Sequence, residues 1–432
     1  MSLRIAFKTL GCKLNFSETA TLEHRLAQAG YQCVPFDGEA EVYVVNTCAV
    51  TEQAGRKCRY YVHRVRQRCP QAKVVLMGCY SALKAEALQA ELGADMVLGS
   101  NTKFLLPDKL PLLFRDTAYV FDRGAEDAPV FFGAYSLQEE RTRSFLKVQD
   151  GCDYFCTYCT VPLARGRIRS GEMFRLLADA SEVVAHGIKE IVLSGVNIGE
   201  YRGSKGERLA DLLSALSEVE GLRRLRISSI EPNLLTDEII AMAAERPNIM
   251  PHFHIPLQSG CDRILALMGR RYRTDLYAEK VRNIKARMPY AFVAADVIAG
   301  FPGETEADFE ACYRFIESLP LSALHVFPYS PRPNTPAAEM EGQVSKAVKA
   351  ERVSRLMALS DAKKAALYRA CEGRTAQVLV ESKECDGHYS GFTENYLRVK
   401  LLCDEKSINT IQAVRLGPLG ADGLAIGEVI NA

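Results

Sequence analysis

The stretch GCDYFCTYC, at residues 151–159, decides the architecture and the chemistry to be expected of this chain. Its cysteines Cys152, Cys156 and Cys159 form a CxxxCxxC run, called the loop triad below. Three closely spaced thiolates can hold three irons of a [4Fe–4S] cube and leave the fourth without a protein ligand. A metal site needs such an open position if a substrate must bind to it. A zinc knuckle or three unrelated core cysteines are the alternatives.

Outward from this stretch, residues 141–370 alternate apolar strands with helices. The strand candidates lie at residues 144–149, 190–196, 222–229, 250–257, 293–301 and 322–329. These units are too few for a closed eight-stranded barrel, so we predict an open (β/α)6 partial barrel. The loop triad follows its first strand, at the carboxyl end where barrel chemistry resides.

A separate α/β unit is predicted at residues 1–115, followed by a linker at residues 116–140. Its apolar strands alternate with helices, which predicts an open parallel sheet covered on both faces. We place the first helix at residues 17–30, capped by Ser17. Three cysteines each follow one strand: Cys12, Cys48 and Cys79, called the sheet triad below. Because carboxyl ends of parallel strands meet at one edge, they form a second candidate cluster site with one iron free.

The bulk composition is that of a globular protein, with 48% hydrophobic and 25% charged residues among 432. No apolar run approaches the roughly 18 residues of a membrane span, and the N-terminal stretch has no secretory cleavage site. With 14 cysteines and no signal peptide, we expect a cytoplasmic protein whose thiols bind metal rather than form disulfides. Residues 371–432 show short alternating strands with glycine turns, which predicts a small β-barrel.

Six motifs extend over the chain in a fixed order. They are TLGCKLNFSE, VNTCAVT, MGCY, FLKVQDGCDYFCTYCTVPLARGRIRS, HIPLQSG and AGFPGET, at residues 9–18, 45–51, 77–80, 145–170, 254–260 and 299–305. In this order they resemble the methylthiotransferases of the radical S-adenosylmethionine (SAM) superfamily. The resemblance implies an N-terminal α/β domain, a radical SAM core and a C-terminal barrel of the TRAM type.

The resemblance also implies the cofactors. One [4Fe–4S] cluster would lie on the loop triad and an auxiliary [4Fe–4S] cluster on the sheet triad. Two SAM molecules would be used per turnover: one methylates sulfur at the auxiliary cluster, and the other yields a radical that removes hydrogen from an unreactive C–H bond. General base catalysis cannot break such a bond, so no side chain is assigned as acid or base. An electron donor and a sulfur source are implied partners.

Candidate SAM contacts lie within the loop triad segment and at the strand ends of the partial barrel. They are Tyr158, Gly195, Asn197, Glu231 and Gln258. A turn or capping role is the alternative for the strand-end residues. The GFPGET loop is expected to let the backbone approach the adenine, and the alternative is that its glycines serve the turn alone.

The branches of this family differ in substrate. Some modify isopentenyladenosine in tRNA, one a ribosomal-protein aspartate, and one threonylcarbamoyladenosine at position 37 of tRNA. The wording CKLN at residues 12–15 and SGVNIGEY at residues 194–201 is similar to the last branch, whereas the isopentenyl branch typically reads CQMN. We therefore predict methylthio transfer to ring carbon 2 of threonylcarbamoyladenosine. An iron–sulfur redox sensor that binds RNA without catalysis is the alternative from another class.

A net charge of +1 leaves only local basic patches for a tRNA anticodon stem-loop. The candidate RNA contacts are Arg56, Lys57, Arg59, Arg64, Arg165 and Arg167. The tail has more acids than bases, so it cannot bind RNA by charge alone. One face is locally basic, or Tyr389, Phe392 and Tyr396 stack on bases, or the barrel contacts mainly the protein. Nothing in the sequence requires more than a monomer.

Overall fold

The computed structural model describes residues 2–49, 52–115, 120–122, 131, 133–136 and 142–430. They form an N-terminal parallel sheet, a partial barrel and a small closed barrel, in that order, which confirms the predicted fold class. Most of the predicted linker at residues 116–140, and residues 50–51 of the VNTCAVT motif, lie outside the described residues.

The N-terminal sheet has six parallel strands in the order β2-β1-β3-β4-β5-β6. The strands are β1 (Arg4–Thr9), β2 (Gln32–Val34), β3 (Val42–Thr47), β4 (Lys73–Gly78), β5 (Met96–Leu98) and β6 (Val120–Asp122). The helices are α1 (Lys13–Gln28), α2 (Glu52–Arg68), α3 (Cys79–Leu92) and α4 (Leu106–Lys109), with 3-10 turns at Thr102–Leu105 and Leu110–Phe114. The central strand β3 is buried along its whole length, as its apolar run predicts.

The first helix begins earlier than predicted. It starts at Lys13, with Cys12 as its N-cap residue, and Ser17 is buried inside it with its hydroxyl donating to the carbonyl of Leu14. The predicted start at Ser17 is therefore wrong. The reason is Gly11, whose φ of 102° turns the chain out of β1 directly into the helix. This placement puts Cys12 at a helix N-terminus.

The partial barrel is an open run of six parallel strands. Its strands are β7 (Arg143–Lys147), β10 (Glu190–Ser194), β11 (Arg224–Arg226), β12 (His252–His254), β13 (Phe292–Ala299) and β14 (Ala323–Pro328), and a short ribbon pairs β8 (Gln149–Asp150) with β9 (Arg169–Ser170). Bridges from Leu225 to Ile249 and from Ser229 to His254 join its two three-stranded halves. The six predicted strands are thus all present, each shorter than or shifted slightly from its predicted range.

Helices cover the convex side of this barrel. They are α5 (Val161–Arg165), α6 (Met173–Ala185), α7 (Leu209–Ser217), α8 (Asp237–Glu245), α9 (Asp262–Leu267), α10 (Thr274–Arg287), α11 (Glu306–Ser318), α12 (Pro336–Glu339) and α13 (Lys346–Cys371), with a 3-10 turn at Ile198–Glu200. Alternate strand residues such as Leu146, Ile191 and Phe253 pack beneath them in one core. The residues between these point to the concave face, so the barrel interior is lined by a different, more polar set of side chains. No described helix is both long and apolar enough to cross a membrane.

The C-terminal strands close into a barrel in the order β15-β16-β17-β19-β18. They are β15 (Thr375–Lys383), β16 (Tyr389–Thr393), β17 (Arg398–Leu401), β18 (Ile411–Leu419) and β19 (Ala425–Val429), with a 3-10 turn at Glu405–Ser407.

This small barrel packs against the partial barrel. Arg224 donates to the carbonyls of Phe392 and Gln377, and the Tyr396 ring lies 4.5 Å from His252. Phe392 stacks on Tyr396 at 4.6 Å. Two of the three aromatic residues considered for base stacking thus lie in this interface, which favours the option that the barrel contacts the protein.

Candidate metal centres

The loop triad begins at a backbone reversal that only glycine allows. Gly151 has a φ of 71°, and a Cβ at this position would lie 2.0 Å from the carbonyl oxygen of Arg167. Burial and the neighbouring thiol of Cys156 raise the pKa of Cys152, and burial and both other thiols raise that of Cys159 to about 12. Burial disfavours the charged thiolates of Cys152 and Cys159, so metal binding at this triad involves replacement of their protons.

A buried arginine holds the middle cysteine of this triad. Arg270 donates to Cys156 Sγ at 3.2 Å, forms an ion pair with Glu231 and lies 3.4 Å from the hydroxyl of Tyr158. Tyr158 and Glu231, both predicted to contact SAM, are thus brought to the triad through Arg270. An N–H···S bond from a cation stabilises a thiolate and orients it. Arg270 was not among the site residues predicted from the sequence, because nothing in the sequence marks it as buried.

The other predicted SAM contacts divide into two groups. Asn197 lies against the Cys152 thiol, and its Oδ1 is buried without a hydrogen-bond partner among the described residues. A buried acceptor of this kind is normally paired, so it fits a ligand N–H. Gln258 has a φ of 63°, a left-handed backbone that is rare outside glycine and clusters at functional sites. Gly195 has a steric reason of its own to be glycine, because a Cβ there would lie 2.7 Å from Ile198 Cγ2, and its contact with SAM stays a prediction.

The AGFPGET loop is closed by its own carboxylate. Glu304 accepts from the backbone N–H groups of Gly300 and Phe301 and pairs with Arg352 at 2.8 Å. Gly300 has a φ of 74°. These contacts show how the loop is closed as a turn, and the approach of its backbone to the adenine stays a prediction.

The sheet triad is drawn from three separate elements. Cys12 caps α1, Cys79 is the first residue of α3, and Cys48 follows β3. A Cβ on Gly11 would lie 2.7 Å from Cys48 Sγ, so glycine is needed for this close approach. Gly78, before Cys79, likewise has a φ of 103°. Helix N-termini favour thiolates, so two of the three sulfurs lie where negative charge is stabilised.

A buried ionic network joins the sheet triad to the partial barrel. Arg165 pairs with Glu18 at 3.1 Å and with Asp150 at 2.9 Å, and its Nε donates to Cys79 Sγ at 3.2 Å. The remaining basic members are Lys103, Lys147 and Arg169. Burial alone would raise the pKa of Glu18, but Arg165, Lys103 and Lys147 lower it.

Among the described residues, the network joins four basic side chains to two carboxylates. Arg165 is a buried cation that donates to Cys79 Sγ, and a buried cation favours an anionic partner such as a thiolate. Burial raises the pKa of Cys12, while Arg165 lowers it. The donor set therefore fits an anionic iron–sulfur cluster.

Neither triad has its three sulfurs all within the short spacing that suits a single zinc ion. Among the described residues, the group whose ligand atoms all lie within 4.8 Å of one another is His254, Asp296 and His325, rather than either triad. One tetrahedral zinc ion would require such short spacing, whereas a cube holds its thiolates further apart.

The candidate RNA contacts occupy different environments. Arg165 is buried in the network, with 3% of its side chain exposed, so its assignment to RNA is corrected. Arg59 pairs with Glu91, and Arg64 with Asp37 at 2.8 Å. Arg64 is nevertheless exposed, as are Arg56, Lys57 and Arg167, and Arg167 lies 3.6 Å from Asp153.

Arg167 has a neighbour that the sequence reasoning missed. Its guanidinium lies 5.2 Å from the ring centre of Phe155, which is 51% exposed within the loop triad segment. An exposed aromatic ring beside an arginine is the combination that single-stranded RNA bases stack on.

Comparisons with known proteins cover both the N-terminal sheet and the partial barrel. Residues 4–99 match the family described as Uncharacterized protein family UPF0004, and residues 146–316 match the Radical SAM superfamily. The threonylcarbamoyladenosine tRNA methylthiotransferase MtaB of Bacillus subtilis is 37% identical over 431 residues, which cover 95% of this chain and 93% of that protein.

Two further proteins extend the comparison. The tRNA-2-methylthio-N(6)-dimethylallyladenosine synthase of Agrobacterium fabrum is 34% identical, over 88% of this chain and 87% of that protein. The radical SAM methyltransferase TsrM of Kitasatospora setae, solved with tryptophan substrate and a SAM analogue bound, has a TM-score of 0.60 and 15% identity, over 89% of this chain and 79% of that chain. This last similarity is one of fold.

Proposed function

We propose that this chain, which belongs to the radical SAM methylthiotransferase family, transfers a methylthio group to threonylcarbamoyladenosine in tRNA. The observation that carries the proposal is the similarity to the Bacillus subtilis enzyme, which spans 95% of this chain. The chain is an enzyme of the transferase class, and its superfamily implies SAM and a [4Fe–4S] cluster. Ring carbon 2 of the nucleoside at position 37 is the proposed acceptor.

The loop triad is the proposed site of the radical cluster and SAM, and the sheet triad that of a second cluster, with two SAM molecules used per turnover. When bound, these groups supply an electron that cleaves SAM and the sulfur that is transferred. Arg270 stabilises the Cys156 thiolate and holds Glu231 beside it. The unpaired Oδ1 of Asn197 is the proposed acceptor for a SAM N–H.

Arg165 is the proposed link between the two centres. It follows the loop triad by six residues and donates to Cys79 of the sheet triad. Its ion pairs with Glu18 of α1 and Asp150 of β8 fix the N-terminal sheet against the partial barrel. A rigid junction of this kind keeps the two centres in one relative geometry, as a transfer between them requires.

The anticodon stem-loop is the proposed RNA partner. Phe155 and Arg167 offer a stacking surface beside the loop triad, and Arg56 and Lys57 are exposed on the helix after Cys48. We also propose an electron donor, a sulfur source, a cytoplasmic location and a monomeric state. The domain limits 1–115, 141–370 and 371–432, with the last as a TRAM-type module, remain proposals.

The test is anaerobic incubation of the reconstituted protein with SAM, a strong reductant and a stem-loop that carries threonylcarbamoyladenosine. Nucleoside mass analysis should show a methylthio product together with 5′-deoxyadenosine. Modification of an isopentenyladenosine stem-loop in preference would favour the alternative represented by the Agrobacterium fabrum relative. A methylthio product on the ribosomal-protein aspartate alone, or no 5′-deoxyadenosine at all, would contradict the proposal; the second result would favour the redox sensor.

A further inference from the structure

The concave face of the partial barrel carries a polar cluster that neither triad uses. His254 of β12, Asp296 of β13 and His325 of β14 have ligand atoms within 4.8 Å of one another. The His254 and Asp296 side chains each remain 22% exposed, and His325 is more exposed still. Their neighbours along the strands are buried in the core beneath the helices. The cluster therefore lines an open chamber inside the barrel.

This cluster is not arranged as a cation site. The Nδ1 atom of His254 lies 2.7 Å from the hydroxyl of Ser229, and its Nε2 lies 2.7 Å from Asp296 Oδ1. Both ring nitrogens are thus already in hydrogen bonds, and Asp296 has a partner. A positive charge faces the chamber from the N-terminal sheet domain and has no acidic partner among the described residues.

That positive charge is Lys13. It follows Cys12 at the start of α1, is exposed, and forms no ion pair with any described residue. Its Nζ lies 5.9 Å from the ring centre of Phe145. Phe145 precedes the core residue Leu146 on β7, so its ring is on the concave face. Lys13 thus extends from the N-terminal sheet domain toward the barrel chamber.

The charge of Lys13 lowers the pKa of ionisable groups on several elements around the chamber. Burial and then His254 lower the pKa of His325, while Asp296 opposes and Lys13 adds to the effect. Burial, Arg226 and Lys13 lower the pKa of His252. Burial raises that of Tyr396, but Lys13 and then Arg143 and Arg226 lower it overall. Arg143 and Arg226 are paired with Glu381 and Glu190, and Asp296 is held by His254. Among the described residues, Lys13 is therefore the positive charge beside this chamber that has no acidic partner.

We propose that Lys13 binds the carboxylate of the threonylcarbamoyl group and so selects this nucleoside over an isopentenylated one. This inference rests on the proposed function and assigns its specificity to one side chain. Lys13 is adjacent to Cys12 in the sequence. A nucleoside whose threonylcarbamoyl group is bound by Lys13 therefore lies beside the sheet triad, where the methylthio group is transferred.

The two nucleosides differ in chemistry so strongly that we expect a large difference in kcat/KM between them. The threonylcarbamoyl group ends in a carboxylate and a hydroxyl, whereas the isopentenyl group is a hydrocarbon. A site that pairs a charged group rejects an analogue that leaves the charge covered and unpaired. Loss of one charge-assisted hydrogen bond should lower kcat/KM by roughly 10- to 100-fold.

The experiment compares Lys13→Gln and Lys13→Arg with the unchanged protein at equal iron and sulfide content. Lys84→Gln, an exposed lysine on α3, is the control for loss of one positive charge near the RNA. Three stem-loops are used, with threonylcarbamoyladenosine, its neutral methyl ester or isopentenyladenosine. Both kcat/KM and stem-loop affinity by fluorescence anisotropy are measured, so the result does not depend on turnover alone.

We expect Lys13→Gln to lose roughly 10- to 100-fold on the carboxylate stem-loop and less than about 3-fold on the methyl ester, with Lys13→Arg and Lys84→Gln near the unchanged protein. Equal losses on both stem-loops, or none on the carboxylate, would overturn the assignment of Lys13 while leaving the proposed function intact. Preference of the unchanged protein for isopentenyladenosine would instead overturn the proposed function and the carboxylate partner with it.

Discussion

The loop triad and the sheet triad differ in how far apart their cysteines lie in the sequence but share a hydrogen bond from a buried arginine. The loop triad lies within residues 152–159, whereas the sheet triad comes from residues 12, 48 and 79 at three strand ends. Yet each has one thiol that accepts a hydrogen bond from a buried arginine at 3.2 Å, Arg270 for Cys156 and Arg165 for Cys79. A local motif can thus be recognised by spacing, while a site made by topology exists only once the sheet has formed.

The largest expected difference between the triads is in their chemistry. Replacing Cys156 by Ala should abolish both 5′-deoxyadenosine and the methylthio product, because SAM cleavage requires the loop triad. Replacing Cys79 by Ala should abolish the product but leave 5′-deoxyadenosine measurable by chromatography. Cys403→Ala, at a cysteine of the C-terminal barrel, is the matched control and should retain both. Loss of all SAM cleavage in Cys79→Ala would remove the division of roles.

The arginines should differ in how much they stabilise the fold. Arg165→Leu leaves Glu18 and Asp150 with an incomplete set of buried partners, so we expect the free energy of unfolding to fall by about 3–5 kcal/mol. Arg270→Leu leaves one carboxylate, that of Glu231, without its ion-pair partner. Because 15% of the Glu231 side chain is exposed, we expect a smaller fall in the free energy of unfolding. Anaerobic denaturant unfolding of the metal-free variants measures both. An equal cost for the two, or none for Arg165→Leu, would mean that the network does not join the domains.

Replacing the glycine that precedes a triad cysteine should reduce iron binding only at the triad beside that glycine. Gly11→Ala places a Cβ against Cys48 and should reduce iron at the sheet triad, whereas Gly151→Ala should reduce it at the loop triad. Backbone strain at such positions costs about 1–3 kcal/mol. Gly30→Ala is the control, because its φ is 88° but nothing lies within 4 Å of the added Cβ. Iron counts and 5′-deoxyadenosine yield distinguish the variants; identical losses in both would contradict separate sites.

The smallest effects should appear at the surface near each triad. Arg167→Ala removes a guanidinium beside the exposed Phe155 ring, and we expect it to weaken stem-loop binding by about 1 kcal/mol with a reduced salt dependence. Arg64→Ala removes a side chain paired with Asp37 at 2.8 Å, a closer contact than the 3.6 Å between Arg167 and Asp153, and should change binding by less than about 0.5 kcal/mol. Anisotropy titrations at several salt concentrations compare them. The reverse order would place the RNA on the helix after Cys48.

The sequence was sufficient for the architecture because its strands are marked by apolar runs and its cysteines by their positions after them. The apolar run around β3, for instance, predicts a buried central strand, and Cys48 follows it. That the sheet triad binds iron stays a prediction. The start of α1 was wrong because a turn at Gly11 outweighs a good capping residue four positions after the true start.

The sequence was insufficient for the basic residues, because a charge in a sequence does not reveal its partner. Arg165 and Arg167 stand two positions apart and were assigned the same role. One is buried among carboxylates and a thiol, and the other is exposed on an aromatic ring. Glu18, on which three cations converge, has no signal in the sequence that would distinguish it from a surface glutamate.

The central claim is that each triad holds its own four-iron cluster. The direct measurement is iron and acid-labile sulfide content, with Mössbauer spectra, of the anaerobically reconstituted protein and of two variants in which all three cysteines of one triad are Ala. We expect about eight irons per chain in the unchanged protein and about four in each variant. About four irons in the unchanged protein, with no loss when the sheet triad is removed, would contradict the account.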